Sequence, residues 1–215
     1  MIRVVLTSFE PFDNQAVNSS LEVGRAVARR PPRGIELEWL TLPVVAGTCV
    51  ERAWECIEAV EPSLVLALGQ AAGATALRLE ARAVNVNDFR IADNAGNQPR
   101  EQPIVASGPA AYGTQIFAST LLGELSRLGI AAELSASAGT YVCNHLLYGL
   151  LHQAAVTARP HRTGFIHLPL LPGQARRGQP ARSVQQMAEG IRQAIITCAA
   201  LARGDPVSQG ASCSR

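Results

Sequence analysis

Leu64-Val-Leu-Ala-Leu68 is an uninterrupted run of apolar residues that passes straight into Gly69-Gln-Ala-Ala-Gly73. A strand with no polar alternation has both faces covered, which in a soluble chain means a sheet lying between two layers of helices. Ile2 to Leu6 has the same character, and Ile35 to Thr41, Ile130 to Leu134 and Gly164 to Leu168 supply further strands. Helical patterns separate them: Leu21 to Ala28, Thr48 to Val60, Tyr112 to Leu128, Asn144 to Ala155 and Val184 to Ala202. Strands alternating with helices predict an α/β fold, a single-domain three-layer α/β/α arrangement with a mostly parallel, mixed sheet over residues 1–202. In such sheets ligands collect beyond the carboxyl ends of the strands, where the Gly69–Gly73 turn falls.

Local signals refine this outline. Thr48-Cys-Val-Glu51 has the form of a capping box, Pro62 stops the helix that follows, and Gly129 is placed to end the helix before it. Leu77 to Asn85 alternates, with Leu77, Leu79, Ala81 and Ala83 on one side and Arg78, Glu80 and Arg82 on the other. By itself that makes Glu80 a solvent-facing residue paired with its arginines. Asp88 to Pro103 has no periodicity and is long for a simple connection, which points to a functional or packed loop. Arg203 to Arg215 is small and polar and is expected to be a disordered tail.

Several function classes recede at once. A formal net charge of +2, with Arg29, Arg30 and Arg33 around a Pro-Pro turn, gives no basis for nucleic-acid binding. No apolar run approaches the length that spans a bilayer, and the N-terminus enters a strand without a cleavage signal, so no membrane partner is expected. Five cysteines without C-x-x-C spacing fit neither a disulfide framework nor a zinc site, and a reducing cytoplasm suits them.

One of these cysteines stands out. Ser135-Ala-Ser-Ala-Gly-Thr-Tyr-Val-Cys143 is a small-residue run ending where an amphipathic helix begins. Unpaired backbone N–H groups and the helix dipole at such a junction favour thiolate, making Cys143 a candidate nucleophile, although a buried packing role is the common alternative. A thiolate needs a base, and there are four histidines. His145 is only two residues from Cys143 on a helix and cannot face it; His152 lies at the far end of that helix; His161, between Pro160 and Arg162, reads as exposed loop. His167, at the carboxyl end of a strand, remains, either as a base in a sheet-end crevice or as a histidine satisfied in the core.

Gly139-Thr-Tyr-Val-Cys-Asn-His145 with Tyr148-Gly-Leu150, and Gly164-Phe-Ile-His-Leu-Pro169, resemble the cysteine and histidine signatures of the pyroglutamyl peptidase I (pyrrolidone carboxyl peptidase) family. Thr7-Ser-Phe-Glu-Pro-Phe12 with Asn18, Leu68-Gly-Gln70, Glu80 to Asn85, and Asp88-Phe-Arg-Ile-Ala-Asp-Asn94 with Gly96 and Gln98-Pro99 are similar to its other motifs, in the same order. The resemblance implies a cysteine exopeptidase that removes N-terminal pyroglutamate from peptides, with a triad of Glu80, His167 and Cys143 and with Arg90 as a helper at the oxyanion. It also implies substrate contacts from Phe9, Phe12, Asn18, Gln70 and Tyr141, no metal or organic cofactor, and assembly as a homotetramer. Singly, Phe9 and Phe12 could equally be packing residues and Asn18 a helix cap. Ser8, Ser19, Ala72, Ala74, Ala81 and Ala92 depart from the family pattern near the implied pocket. Those departures leave two other readings to weigh: an amidohydrolase acting on another small cyclic amide, and a catalytically idle binding homologue.

Overall fold

The computed structural model describes residues 1–202; the sequence-based expectations for the tail and Cys213 lie outside the described residues. Six strands form one sheet in the order β2-β1-β3-β8-β4-β7, with β1 at Ile2–Phe9, β2 at Ile35–Leu42, β3 at Leu64–Gln70, β4 at Leu77–Glu80, β7 at Ala132–Ser135 and β8 at Arg162–Leu168. Every neighbouring pair is parallel except β4 with β8. The chain therefore steps outward from β1 to β2 and then returns to β3 on the other side of β1. That reversal opens a crevice at the carboxyl ends of β1 and β3.

Both faces of the sheet are covered, as the unbroken apolar strands require. Leu64, Leu66 and Leu68 point into one core with Val23 and Val27 of α1 (Ser19–Ala28), Leu121 and Leu125 of α3 (Ala118–Arg127), and Ile191 and Ile195 of α5 (Val184–Ala202). Val65 and Ala67 point into the other, against Cys49, Ala53 and Ile57 of α2 (Thr48–Val60) and Leu146, Leu147 and Leu150 of α4 (Val142–Val156). Period-two alternation thus operates inside an all-apolar strand, each face having its own helical layer.

Several local expectations are corrected. β1 and β3 run further than their apolar runs, so Thr7, Ser8 and Phe9, read as loop, and Gly69 and Gln70, read as turn, belong to strands. The alternating stretch after Leu77 is two strands rather than one: it breaks at Ala81, and β5 (Arg82–Val84) leaves the main sheet to pair with β6 (Ala111–Gly113). β6 occupies what helical spacing assigned to the first turns of α3, which starts only at Ala118. Thr48 makes no side-chain cap; Gly47, at φ 78°, is the cap residue of α2 and turns its N–H away to His145 Nε2 at 2.9 Å. Gly129, at φ 71°, ends α3 with Ile130 by returning N–H groups to Ser126 and Leu125, the bonding pattern in which glycine follows a helix.

Candidate active site

Three separate elements deliver the implied triad to one place. His167 lies near the carboxyl end of β8, paired in register with Gly69 on one side and, across the antiparallel contact, with Arg78 on the other. Glu80 sits two residues beyond Arg78 on the same side of β4, one diagonal step from His167. Its Oε1 lies 2.7 Å from His167 Nδ1, and the residue is 1% exposed. Glu80 is therefore not the solvent-facing partner of its arginines that strand alternation suggests: Arg78 instead pairs with Glu133 on β7, while Glu80 is buried against His167. The second carboxylate oxygen, Oε2, has no hydrogen-bond partner among the described residues.

Cys143 is the second residue of α4, whose cap residue Tyr141 provides no side-chain hydrogen bond. His145 N–H is the first in the helix to find a backbone acceptor, Tyr141, leaving the N–H groups of Val142, Cys143 and Asn144 without an acceptor among the described residues. The Sγ of Cys143 rests against the backbone of Gly69: a Cβ built on that glycine would come within 2.9 Å of Sγ and 2.7 Å of the Phe165 ring. A strand residue without a side chain is what lets the thiol reach the plane of the sheet beside His167.

The charges of this cluster act on one another. Burial pushes the His167 pKa down, but the adjacent Cys143 sulfur and the Glu80 carboxylate push it up more strongly, to about 9. Cys143 is close enough to His167 to contribute more to that rise than Glu80 does.

Next to Cys143 is a narrow cleft of about 40 Å³, lined by Phe9, Phe12, Asn18, Val44, Gln70, Tyr141 and Val142. All five residues expected to contact substrate line it. Phe9 closes the floor at 2% exposure. Tyr141 is held between Phe89, 4.7 Å away edge-on, and Phe12, 6.1 Å away, and its hydroxyl donates to Ala92 O. Asn18 proves to be both wall and helix cap, since its Oδ1 accepts from Ser20 N–H and Oγ while its Nδ2 donates to Glu10 O. Arg90 stands outside this cleft, exposed on a wider vestibule of about 440 Å³ that shares Phe12, Gln70 and Tyr141 with it.

Val44, the first of two adjacent valines in the loop after β2, is not among the expected site residues. No local signal marks it, but the residues that hold it lie in the motifs after Asp88. Asp93 Oδ2 accepts from Ala46 N–H, Asn94 N–H donates to Val44 O, and Glu10 Oε1 accepts from both Val44 N–H and Asn94 Nδ2. His145 completes this clamp through Gly47; burial lowers its pKa to about 4, so it is a neutral strut and not a base. His161, expected in an exposed loop, is instead 4% exposed, with its ring 5.8 Å from Trp54. A larger groove of about 400 Å³ between α5 and Ile130 contains no nucleophile and lies apart from these residues. Among the described residues no group of three or more His, Cys, Asp or Glu side chains is placed to hold a metal ion.

The chain as a whole is similar to known proteins. The family model described as pyroglutamyl peptidase matches residues 2–201. The pyrrolidone-carboxylate peptidase of Vibrio vulnificus strain YJ016 is 42% identical over 199 residues, covering 92% of this chain and 93% of that one. The protein of the same name from Cupriavidus taiwanensis is 41% identical over 213 residues, 98% of each. Among solved structures, pyroglutamyl peptidase I of Bacillus amyloliquefaciens superposes with a TM-score of 0.90 at 33% identity, over 96% of this chain and all of that one (100%). The pyrrolidone carboxyl peptidase of Thermococcus litoralis gives 0.90 at 28% identity, over 97% and 99%.

Proposed function

The chain belongs to the pyroglutamyl peptidase family, and on that premise we propose that it is a cysteine exopeptidase hydrolysing the amide bond after an N-terminal pyroglutamyl residue, with Cys143 as nucleophile, His167 as acid–base and Glu80 as its orienting carboxylate. The observation that carries this reading is the buried 2.7 Å contact of Glu80 with His167 beside a cysteine at a helix start. Each group has one role that its surroundings support. Glu80 holds Nδ1 of His167, which turns Nε2 toward the sulfur and stabilises the imidazolium. Cys143 Sγ attacks the carbonyl carbon of the scissile amide, and the electron pair moves to oxygen. The unclaimed N–H groups at the start of α4 are the donors for that oxyanion, with the helix dipole behind them.

Collapse of this intermediate expels the amine, which takes its proton from His167, and leaves a thioester on Cys143. Neutral His167 then draws a proton from water, whose oxygen attacks the thioester and releases pyroglutamate and the thiol. Arg90 adds positive potential from the vestibule side. The cleft suits a neutral cyclic acyl group: its walls are Phe9, Phe12, Val44 and Tyr141, with no carboxylate to anchor an amine. Peptides bearing N-terminal pyroglutamate are thus the proposed partners, in a cytoplasmic homotetramer. Among the described residues no helix is long and apolar enough to cross a membrane.

The test is release of arylamine from pyroglutamyl, prolyl and glutamyl arylamides by the pure protein, with Cys143→Ala beside it. Selective release from the pyroglutamyl compound, abolished in Cys143→Ala with an unchanged unfolding midpoint, is the expected result. Release from other lactams alone would favour the cyclic-amide alternative, and inactivity toward all of them an idle homologue.

A further inference from the structure

Gln70 stands at the carboxyl end of β3, at the junction of cleft and vestibule, and its side-chain amide is held by one end only. Its Oε1 accepts from Ser19 N–H at 2.8 Å and from Gln174 Nε2 at 2.8 Å. Its Nε2 has no partner among the described residues and is not sealed from the cavity. Gln174, in the segment that follows β8, has no such freedom. Its Oε1 accepts Leu171 N–H at 3.0 Å, closing the turn from Leu171 to Gln174, and its Nε2 donates both to Gln70 and to Val17 O at 2.9 Å. With a donor at its oxygen and two acceptors at its nitrogen, the amide of Gln174 can sit only one way round.

We propose that Gln174 is a positioning residue for lactam recognition: together with Ser19 N–H it occupies both acceptor sites of Gln70 Oε1, and so holds Gln70 with Nε2 presented as a hydrogen-bond donor to the ring carbonyl of the pyroglutamyl group. This role rests on the peptidase reading above and falls to a residue that does not line the cleft beside Cys143. A free glutamine could rotate its amide and offer either a donor or an acceptor. One locked from behind offers a donor only, which rewards a ring carbonyl and gives nothing to a saturated ring. A cleft built to pair a polar group discriminates strongly against an analogue lacking it, because the protein group is then left unpaired. The lock also ties the cleft to the segment that emerges from the His167 strand.

The test compares arylamides of pyroglutamate, 3-oxocyclopentanecarboxylate, which keeps the ring carbonyl but lacks the N–H, and cyclopentanecarboxylate, which lacks both. Wild type is expected to favour the two carbonyl-bearing rings. Gln174→Met, similar in size but without the donor, should narrow that preference by about ten-fold, through KM, with the alkylation rate of Cys143 unchanged. Gln174→Glu should narrow it further, since it sets a carboxylate against Gln70 Oε1; it also reads the same ratio if Gln174→Met does not fold. A ratio preserved in the variants, or an equal loss on all three substrates, would overturn the positioning role. A wild type that cleaves pyroglutamyl arylamide but ignores the ring carbonyl refutes the donor assignment alone. No pyroglutamyl cleavage at all refutes the peptidase reading and the lock with it.

Discussion

Glu80 Oε1 lies 2.7 Å from His167 Nδ1 across the antiparallel contact of β4 and β8, with both side chains buried. Replacing Glu80 with Gln keeps the volume but removes the charge and can reverse the hydrogen bond, presenting an N–H to Nδ1 and favouring the wrong tautomer. kcat is expected to fall about a hundred- to ten-thousand-fold, with the unfolding midpoint little changed. The alkaline limb of the pH–rate profile should also move to lower pH, because Glu80 is one of the groups holding the His167 pKa up.

Reaction with iodoacetamide separates the thiols. Burial pushes Cys49 and Cys198 far up, the latter to about 12, and raises Cys56 as well. In a Cys213→Ser background, Cys143 should react first, at a rate that drops in His167→Ala. Equal labelling of Cys143 and Cys56 by mass spectrometry would remove the case for an activated nucleophile.

Stability should carry the signature of His167. Its folded pKa, about 9, is above the ordinary 6.5, so its contribution is complete below pH 6.5 and disappears as pH rises through about 9. Denaturant titrations of wild type and His167→Gln should therefore differ most near pH 6 and converge toward pH 10.

Gly69→Ala places a methyl 2.9 Å from Cys143 Sγ and 2.7 Å from the Phe165 ring. Something must move. A cost of about 1–3 kcal/mol in stability is expected, together with a fall in kcat larger than any change in KM, since the displaced atom is the proposed nucleophile.

Asp93 holds the loop that carries Val44. Burial opposes its ionisation, yet hydrogen bonds from the Asn97 side chain and from the N–H groups of Ala46, Asn97 and Ala95 hold its pKa below the usual 3.8. Its stabilisation is thus present above pH 3.8 and lost as pH falls through its lower folded value. Asp93→Asn should erase that acid-side loss and raise KM about three- to ten-fold while sparing the alkylation rate of Cys143.

Much of this was legible in the residues themselves. The continuous apolar strands dictated the covered sheet, and the two Leu pairs of α4 and the long apolar pattern of α5 marked those helices closely. Direction of pairing was not legible. Nothing within Leu77 to Asn85 says that β4 runs against β8, and only that reversal turns Glu80 from an apparent surface carboxylate into the partner of His167. The Tyr112 stretch misled because a short strand paired to β5 has no periodicity to distinguish it from a helix start. His161 has polar neighbours in the sequence that suggest exposure, yet it is buried, with its ring near Trp54 of the distant helix α2. Val44 and Gln174 were invisible for a related reason: one acts through shape and the other through a hydrogen bond spanning 104 positions.

The insertion of β4 between β8 and β7 also bears on how the enzyme comes into being. Glu80 and His167 are 87 positions apart, and their elements meet only once the far half of the sheet has closed. Long loops of this kind are slow to close. During refolding, helical signal and burial of the first three parallel strands should return before turnover does. Recovery of catalysis would then time the seating of a single four-residue strand.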